Sequence, residues 1–220
     1  LTLSNIAPQR RAALIAGSVR EAKIAQQRME CSGRISRKSL QRIIDRCSQQ
    51  GGGTVVVPRG THRISGPLEL KSGVRLHLSD GATLRFSSKP DDYLPVVPTR
   101  WEGTELYGRS SMIRAYRQHD VALTGEGTAV IDCGGSEMAR WGMPGGDPNF
   151  VENTHGTHGE TPETADVDRL RQMGDDLTPV AERVFGKGTR LRPCGIEFNG
   201  CSKVMVEGIT LKNSPFWCIH

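Results

Sequence analysis

The chain has 220 residues, of which 36% are hydrophobic and 5% aromatic, enough for one sizeable core but little for a second domain. Its formal net charge is +5, a value that suggests a nucleic-acid partner. However, residues 1–42 contain nine basic and two acidic side chains, so the remainder is slightly acidic and nucleic-acid binding is not expected. The sequence has no apolar run of the roughly 20 residues that span a bilayer, so no membrane partner is expected either.

The N-terminal segment, residues 1–36, has weak hydrophobic periodicity and many charges. Its apolar run AALIAG follows Arg11 and is too short for the core of a secretory signal. We therefore treat residues 1–36 as a basic arm of uncertain structure. Residues 37–220 are expected to form one folded domain.

An amphipathic helix is predicted directly after this arm. Ser36 or Ser39 can cap its start, and Gly51 can end it. Because the helix precedes the first predicted strand, we expect it to cap the open end of a solenoid, whose apolar surface and strand edges need cover. Its apolar residues recur at i, i+3, i+4 and i+7, namely Leu40, Ile43, Ile44 and Cys47.

Short strands dominate the next segment. Residues 51–86 have the sequence GGGTVVVPRGTHRISGPLELKSGVRLHLSDGATLRF, in which β-branched or Leu-rich runs are separated by Gly, Pro, Ser and Asp. A short motif recurs around Val74, Val121 and Val204. It consists of two polar residues, Val, one further residue and then Leu or Val. Short strands that recur without crossover helices are typical of a parallel β-solenoid, which offers a long groove for a polymer.

Two long insertions interrupt these strands. Residues 87–111 are polar and Pro-rich, and residues 134–192 form a longer insertion. Loops of this length in a compact domain are usually functional or disordered. Helical spacing within the second insertion predicts one short helix around Leu170 and another over VAERVF, which Thr178-Pro179 opens and Gly186 ends. We expect much of this insertion to fold against the groove.

Several motifs have the residue types of a catalytic or binding site. Asp175-Asp176 could serve acid–base chemistry, but its place between two predicted helices favours a helix terminus. His155 and His158 have a spacing that a metal could use, yet their Gly and Thr neighbours favour a loop, so no metal or cofactor is predicted. Trp101-Glu102 places an aromatic face beside a carboxylate, which fits either a sugar platform or a buried anchor.

The cysteines match neither a zinc module nor a compact disulfide framework. Free buried thiols are the favoured interpretation, and a disulfide between neighbouring coils is the alternative. Their positions are Cys31, Cys47, Cys133, Cys194, Cys201 and Cys218.

Taken in order, the sequence segments from residue 51 onward resemble those of glycoside hydrolase family 28, the polygalacturonases. The resemblance covers roughly residues 38–220 and includes DDYLPVVPTRWEG, HDVALTGEGTAVID, ERVFGKGTRLRP and VEGITLKNSPFWCIH. It implies an all-β fold, a right-handed parallel β-helix with an N-terminal capping helix and long loop insertions. It also implies inverting hydrolysis of α-linked galacturonic acid or related units in pectin, without a metal or other cofactor.

The resemblance is to the N-terminal half of the sequences in this family. By resemblance, the catalytic acids are expected beyond His220, in motifs similar to Asn-Thr-Asp and Gly-Asp-Asp, so the chain alone is expected to be inactive. Gly174-Asp175-Asp176 precedes NSPFWCIH and is therefore not assigned a catalytic role. The family's usual strand before the capping helix is absent from residues 1–36, which suggests a misread start or the boundary of an excerpt.

Arg192, His220, Trp101 and Glu102 are the candidate substrate-binding residues. An arginine fork matches the carboxylate of an acidic sugar, and His220 follows the last strand; a structural ion pair and a histidine at the edge of the core are the alternatives. The expected partner is an acidic, pectin-type polysaccharide, which suggests a secreted or periplasmic protein. A β-helical carbohydrate-binding or adhesion module without catalysis is the alternative function.

Overall fold

The computed structural model describes residues 24–143 and 160–220, and most of its regular elements are short strands. The strands are β1 (Arg28–Glu30), β2 (Gly53–Val57), β3 (Gly60–Ile64), β4 (Leu68–Glu69), β5 (Val74–Leu78), β6 (Ala82–Phe86), β7 (Val97–Trp101), β8 (Thr104–Gly108), β9 (Ile113–Tyr116), β10 (His119–Gly125), β11 (Val130–Asp132), β12 (Ile196–Asn199), β13 (Ser202–Glu207) and β14 (Thr210–Lys212). The α-helices are α1 (Arg37–Gln49), α2 (Ser136–Ala139) and α3 (Thr164–Asp175).

Most of these strands form three parallel sheets. In order of hydrogen-bonded neighbours, sheet A is β1-β2-β5-β10-β13, sheet B is β3-β6-β11-β14 and sheet C is β4-β9-β12. From β2 onward the chain visits sheets A, B and C in turn and then returns to sheet A. Each strand therefore pairs with the strands one circuit before and after it, and the prediction of a β protein with parallel strands is confirmed.

Apolar side chains stack in columns because the paired strands keep their register, and alternate residues of each strand point to the same face. The column of sheet A consists of Met29, Val55, Leu76, Leu123 and Val206. The column of sheet C consists of Leu68, Ile113 and Ile196. Columns from the three sheets meet in one buried core, in which Leu76, Leu84 and Ile113 are fully shielded from solvent.

Helix α1 lies beside the first strands of this core. Ser36 caps the helix through a reciprocal pair of hydrogen bonds with Ser39, which satisfies donors that the first turn leaves open. Its apolar stripe is buried against β2, β4 and β5, and the side chain of Gln41 hydrogen-bonds both the N–H and the carbonyl of Glu69. The predicted helix is thus confirmed, with its end beside Gly51.

Residues before the helix include a strand that the sequence pattern did not predict. Strand β1 pairs with β2 as the first strand of sheet A, and Cys31 and Ile35 pack into the core. A three-residue strand with two charged members has too little alternation to stand out in the sequence. The proposed division at residue 36 remains a prediction, and AALIAG lies outside the described residues.

Both predicted insertions are folded in their described parts. The first contains the antiparallel hairpin β7–β8, and the second contains α2 and α3. The prediction of a helix over VAERVF is wrong. Only Val180–Glu182 forms a single 3-10 turn, after which Val184 pairs with Tyr107 of β8, because the β-branched and aromatic residues there gain more by packing on the hairpin.

The six thiols are free, as favoured from their spacing, and four of them are buried. Among the described residues no helix is long and apolar enough to cross a membrane.

Candidate functional site

The outer face of sheet C is where the insertions meet the strands. Glu69, Arg114 and Glu197 are register neighbours on this face, opposite the apolar column. The hairpin β7–β8 covers part of it, since Thr99 Oγ1 donates to Glu197 Oε1 at 2.8 Å and Arg114 Nη2 donates to the carbonyl of Pro98 at 3.2 Å. The hairpin is thereby fixed over the strands.

A row of aromatic rings starts at this hairpin. Trp101 stacks on Phe216 with ring centroids 5.1 Å apart, and Phe216 stacks on Trp217 at 5.2 Å. The ring of His220 meets Trp217 edge-on, again at 5.2 Å. Trp101 is 7% exposed and Trp217 is 41% exposed, so the row runs from a buried ring beside the hairpin turn to solvent, as a platform for a sugar ring requires.

A buried ion pair borders the row. Arg192 Nε lies 2.5 Å from Glu163 Oε2, and the side chains are 20% and 4% exposed. The guanidinium also lies over the ring of Phe216 at 4.7 Å and donates to the carbonyl of Pro215 at 3.3 Å. Burial raises the pKa of Glu163, and the attraction of Arg192 offsets only part of this effect.

Three of the four predicted binding residues therefore come together. Trp101, Arg192 and His220 surround Phe216 and Trp217, although up to 119 positions of sequence separate them. Glu102 instead occupies the hairpin turn and pairs with Arg171 of α3 at 3.2 Å. Its carboxylate still lies near enough to raise the pKa of Glu163.

His220 is placed by the backbone of sheet C. Its N–H donates to the carbonyl of Ile196 at 2.9 Å, and the N–H of Phe198 donates to the carbonyl of His220 at 2.8 Å. His220 therefore extends the outward row next to Glu197. Within the described residues, His220 Nδ1 and Trp101 Nε1 are buried without a hydrogen-bond partner, an arrangement that costs about 1–3 kcal/mol per group unless another molecule supplies the bond.

The remaining sequence motifs do not contact the aromatic row, or they lie outside the described residues. Asp175 ends α3 and Asp176 is its C-cap, which confirms the interpretation as a helix terminus. His155 and His158 lie outside the described residues. In the described part of the chain, no group of three or more His, Cys, Asp or Glu side chains is arranged to hold a metal ion.

Glu163, Phe216 and Trp217 were not predicted as site residues. Glu163 follows a Thr-rich stretch of sequence and has no motif of its own, so only its contact with Arg192 identifies it. Phe216 and Trp217 form an aromatic pair just before Ile219, which bridges to Ile196, and this pair was the available signal in the sequence.

The comparisons with known proteins give matches among solved structures. No protein-family model matches the chain, and no curated protein does. The chain is similar to a hyperthermoactive exopolygalacturonase from Thermotoga maritima, with 38% identity and a TM-score of 0.80 over 96% of this chain and 47% of that one. It is also similar to a family 28 exopolygalacturonase from Yersinia enterocolitica, with 25% identity and a TM-score of 0.52 over 87% of this chain and 36% of that one. The chain thus spans less than half the length of either enzyme.

Proposed function

We propose, from the polygalacturonase-like fold that the chain shares with glycoside hydrolase family 28, that its protein hydrolyses glycosidic bonds in a pectin-type acidic polysaccharide. The observation that supports this most is the 38% identity to an exopolygalacturonase over 96% of the chain. The proposed bonds join α-linked galacturonic acid or related units. The protein would act as a glycosidase in pectin degradation.

The finer architecture belongs to the same proposal. The repeated order of sheets A, B and C supports a right-handed parallel β-helix, and the apolar stripe of α1 against β2, β4 and β5 supports a capping role for the helix. On this view the outer face of sheet C is the floor of a substrate groove. The two insertions are its walls.

The aromatic row would bind the sugar ring, and the neighbouring polar groups would fix its orientation. The guanidinium of Arg192 is already held by Glu163 and Pro215, so it would offer its remaining donors in a fixed direction. The unpartnered Nδ1 of His220 and Nε1 of Trp101 would hydrogen-bond substrate or its bound water.

Inverting hydrolysis requires a protonated carboxyl that donates to the leaving oxygen and carboxylates that activate water on the opposite face of the sugar. Glu163 forms an ion pair with Arg192, and Glu102 forms one with Arg171. Each glutamate would therefore orient its arginine. We therefore assign neither glutamate a catalytic role; the chain spans 47% of the exopolygalacturonase it matches. No metal takes part in this scheme.

The direct test is the release of reducing ends from polygalacturonate by the intact protein, with the anomer of the first product followed by proton NMR. Inversion of the anomeric configuration is the expected result, and the product sizes would distinguish attack at chain ends from attack within the chain. Binding of the polymer without any release of reducing ends would refute the proposal and favour the adhesion or carbohydrate-binding module.

Two variants test the binding roles. Arg192→Ala and His220→Ala are each expected to raise the KM for polygalacturonate, because each removes a group aimed at the acidic sugar. Unchanged kinetics in either variant would remove that residue from the site.

Since the proposed substrate is a polymer of the cell wall, a secreted or periplasmic location is part of the proposal, and fractionation of the native cells would test it.

A further inference from the structure

A polar cavity lies on the outer face of sheet B, whereas the aromatic row lies beside sheet C. It has a volume of about 830 Å³ and is bounded by β3, β6, the chain after β6 and the segment that leads into α1. We call it the basic groove, because Arg34, Arg63, Arg85 and Lys89 line it together with one acidic side chain, Asp132. Ile64 and Phe86 also border it, although their side chains are buried in the core.

The charges of the basic groove follow from strand register. Arg63 of β3 is opposite Arg85 of β6, and Arg85 is opposite Asp132 of β11. Adjacent strands are about 4.8 Å apart, and like charges directly opposite each other are destabilising. Asp132 lies 3.0 Å from Arg85 and neutralises that arginine, while no carboxylate of the described residues forms an ion pair with Arg63.

The other basic side chains are also available. Within residues 24–143 and 160–220, no ion pair or side-chain hydrogen bond is formed by Arg34, Arg63 or Lys89, and all three are exposed. An anionic ligand could therefore approach them without breaking an existing contact. The chain's own first 23 residues are a poor occupant, because they contain four basic side chains and one acidic one and the groove would repel them.

We infer that the basic groove binds a carboxylate-bearing polysaccharide chain as a second contact for the acidic polymer, separate from the sheet C site. A linear polyuronate presents one carboxylate per sugar unit, so neighbouring units can meet the unpaired side chains of Arg34, Arg63 and Lys89. A polymer held at two places is retained at a high effective concentration. The identity of the polymer rests on the proposed function, but the binding itself does not require hydrolysis.

The test compares two double variants of the intact protein by affinity electrophoresis in gels that contain polygalacturonate. Arg63→Ala with Lys89→Ala is expected to raise the dissociation constant about tenfold at low salt, with a smaller effect as salt increases. The matched control is Arg42→Ala with Arg46→Ala, two exposed arginines of α1 outside the groove, which should leave binding unchanged. All four side chains are exposed, so thermal unfolding should confirm that both variants fold.

Two further readouts separate this inference from the proposed function. The groove variant should raise the KM for the polymer and leave the KM for digalacturonate unchanged, and gels with fully methyl-esterified pectin should not distinguish it from the wild-type protein. If the protein proves unable to hydrolyse pectin, weaker retention of the groove variant by polygalacturonate would still support the groove. Equal retention of the groove variant, the control variant and the wild-type protein would overturn it.

Discussion

The repeating strands and the inserted segments of this chain are stabilised in different ways. The strands stack identical apolar positions on one another, so Val55, Leu76 and Leu123 each lie between similar residues of the neighbouring circuits. The insertions form a separate small core around Trp101, Leu106, Val167, Leu170, Phe185 and Leu191.

Within the insertions, a buried charge holds separate segments together. Arg109 is 5% exposed and ties three segments together, since it hydrogen-bonds the carbonyl of Thr189 at 2.8 Å, lies 3.6 Å from Asp91 and packs over the ring of Trp141 at 5.2 Å. The lesson is that stacked strands supply a uniform support, whereas the position of the site depends on a few polar contacts. The following changes test that distinction, each in the intact protein.

The largest expected effect comes from the middle of the sheet A column. Leu76→Ala should lower the free energy of unfolding by about 4 kcal/mol, because Leu76 is fully buried and its neighbours cannot close the cavity. Urea unfolding would measure this loss. Leu177→Ala, at an insertion residue that is 84% exposed, is the control and should change stability by less than about 0.5 kcal/mol. Similar losses in both variants would contradict the distinction.

Breaking the ion pair beside the aromatic row should have the next largest effect. Glu163→Ala leaves the guanidinium of Arg192 largely buried without its carboxylate, and we expect a loss of about 2 kcal/mol. The loss should appear as faster hydrogen exchange in α3 rather than in sheet A. Combining Glu163→Gln with Arg192→Met should recover part of the loss, because no unpaired charge remains. Uniform exchange changes across both regions would show that the insertions and strands unfold as one unit.

The exposed end of the aromatic row should affect binding more than stability. Trp217→Ala is expected to raise the KM for polygalacturonate about tenfold, equivalent to about 1.4 kcal/mol of binding free energy, with kcat nearly unchanged. Trp217→Phe should restore most of the affinity because it retains a ring. An unchanged KM in Trp217→Ala would mean that the row is a packing feature of the insertion.

The smallest expected effect is the pH response of Asp132, at the boundary between sheet B and the second insertion. Its burial opposes ionisation, but hydrogen bonds from Asn213, Arg85 and the N–H of Gly134 together lower its pKa. A lowered pKa in the folded state contributes stability above the unfolded value of about 3.9, and this stability is lost as pH falls through the folded value. Asp132→Asn should therefore cost about 1 kcal/mol at pH 7 and lose less stability than the wild-type protein between pH 5 and pH 2. Parallel pH profiles of the two proteins would contradict this assignment.

Local patterns were sufficient for the repeating part of the fold. The spacing of Leu40, Ile44 and Cys47 predicted α1, and the alternation in VRLHL and ATLRF predicted strands that the structure confirms. In both cases a residue's environment depends on neighbours within a few positions, so a short window of sequence contains the information. The VAERVF prediction was wrong because contacts with Tyr107, more than 70 positions away, outweighed local helical spacing.

The sequence by itself determined that this protein is built from short parallel strands behind an amphipathic helix, because periodicities of two and of about 3.6 record which face each segment buries. It also singled out Trp101, Arg192 and His220. Only the tertiary structure decided that these residues surround Phe216 and Trp217, that Glu163 holds Arg192, and that Arg63 and Arg85 face one groove. The paths of the insertions and the register between distant strands set those contacts, and neither leaves a local pattern in the sequence.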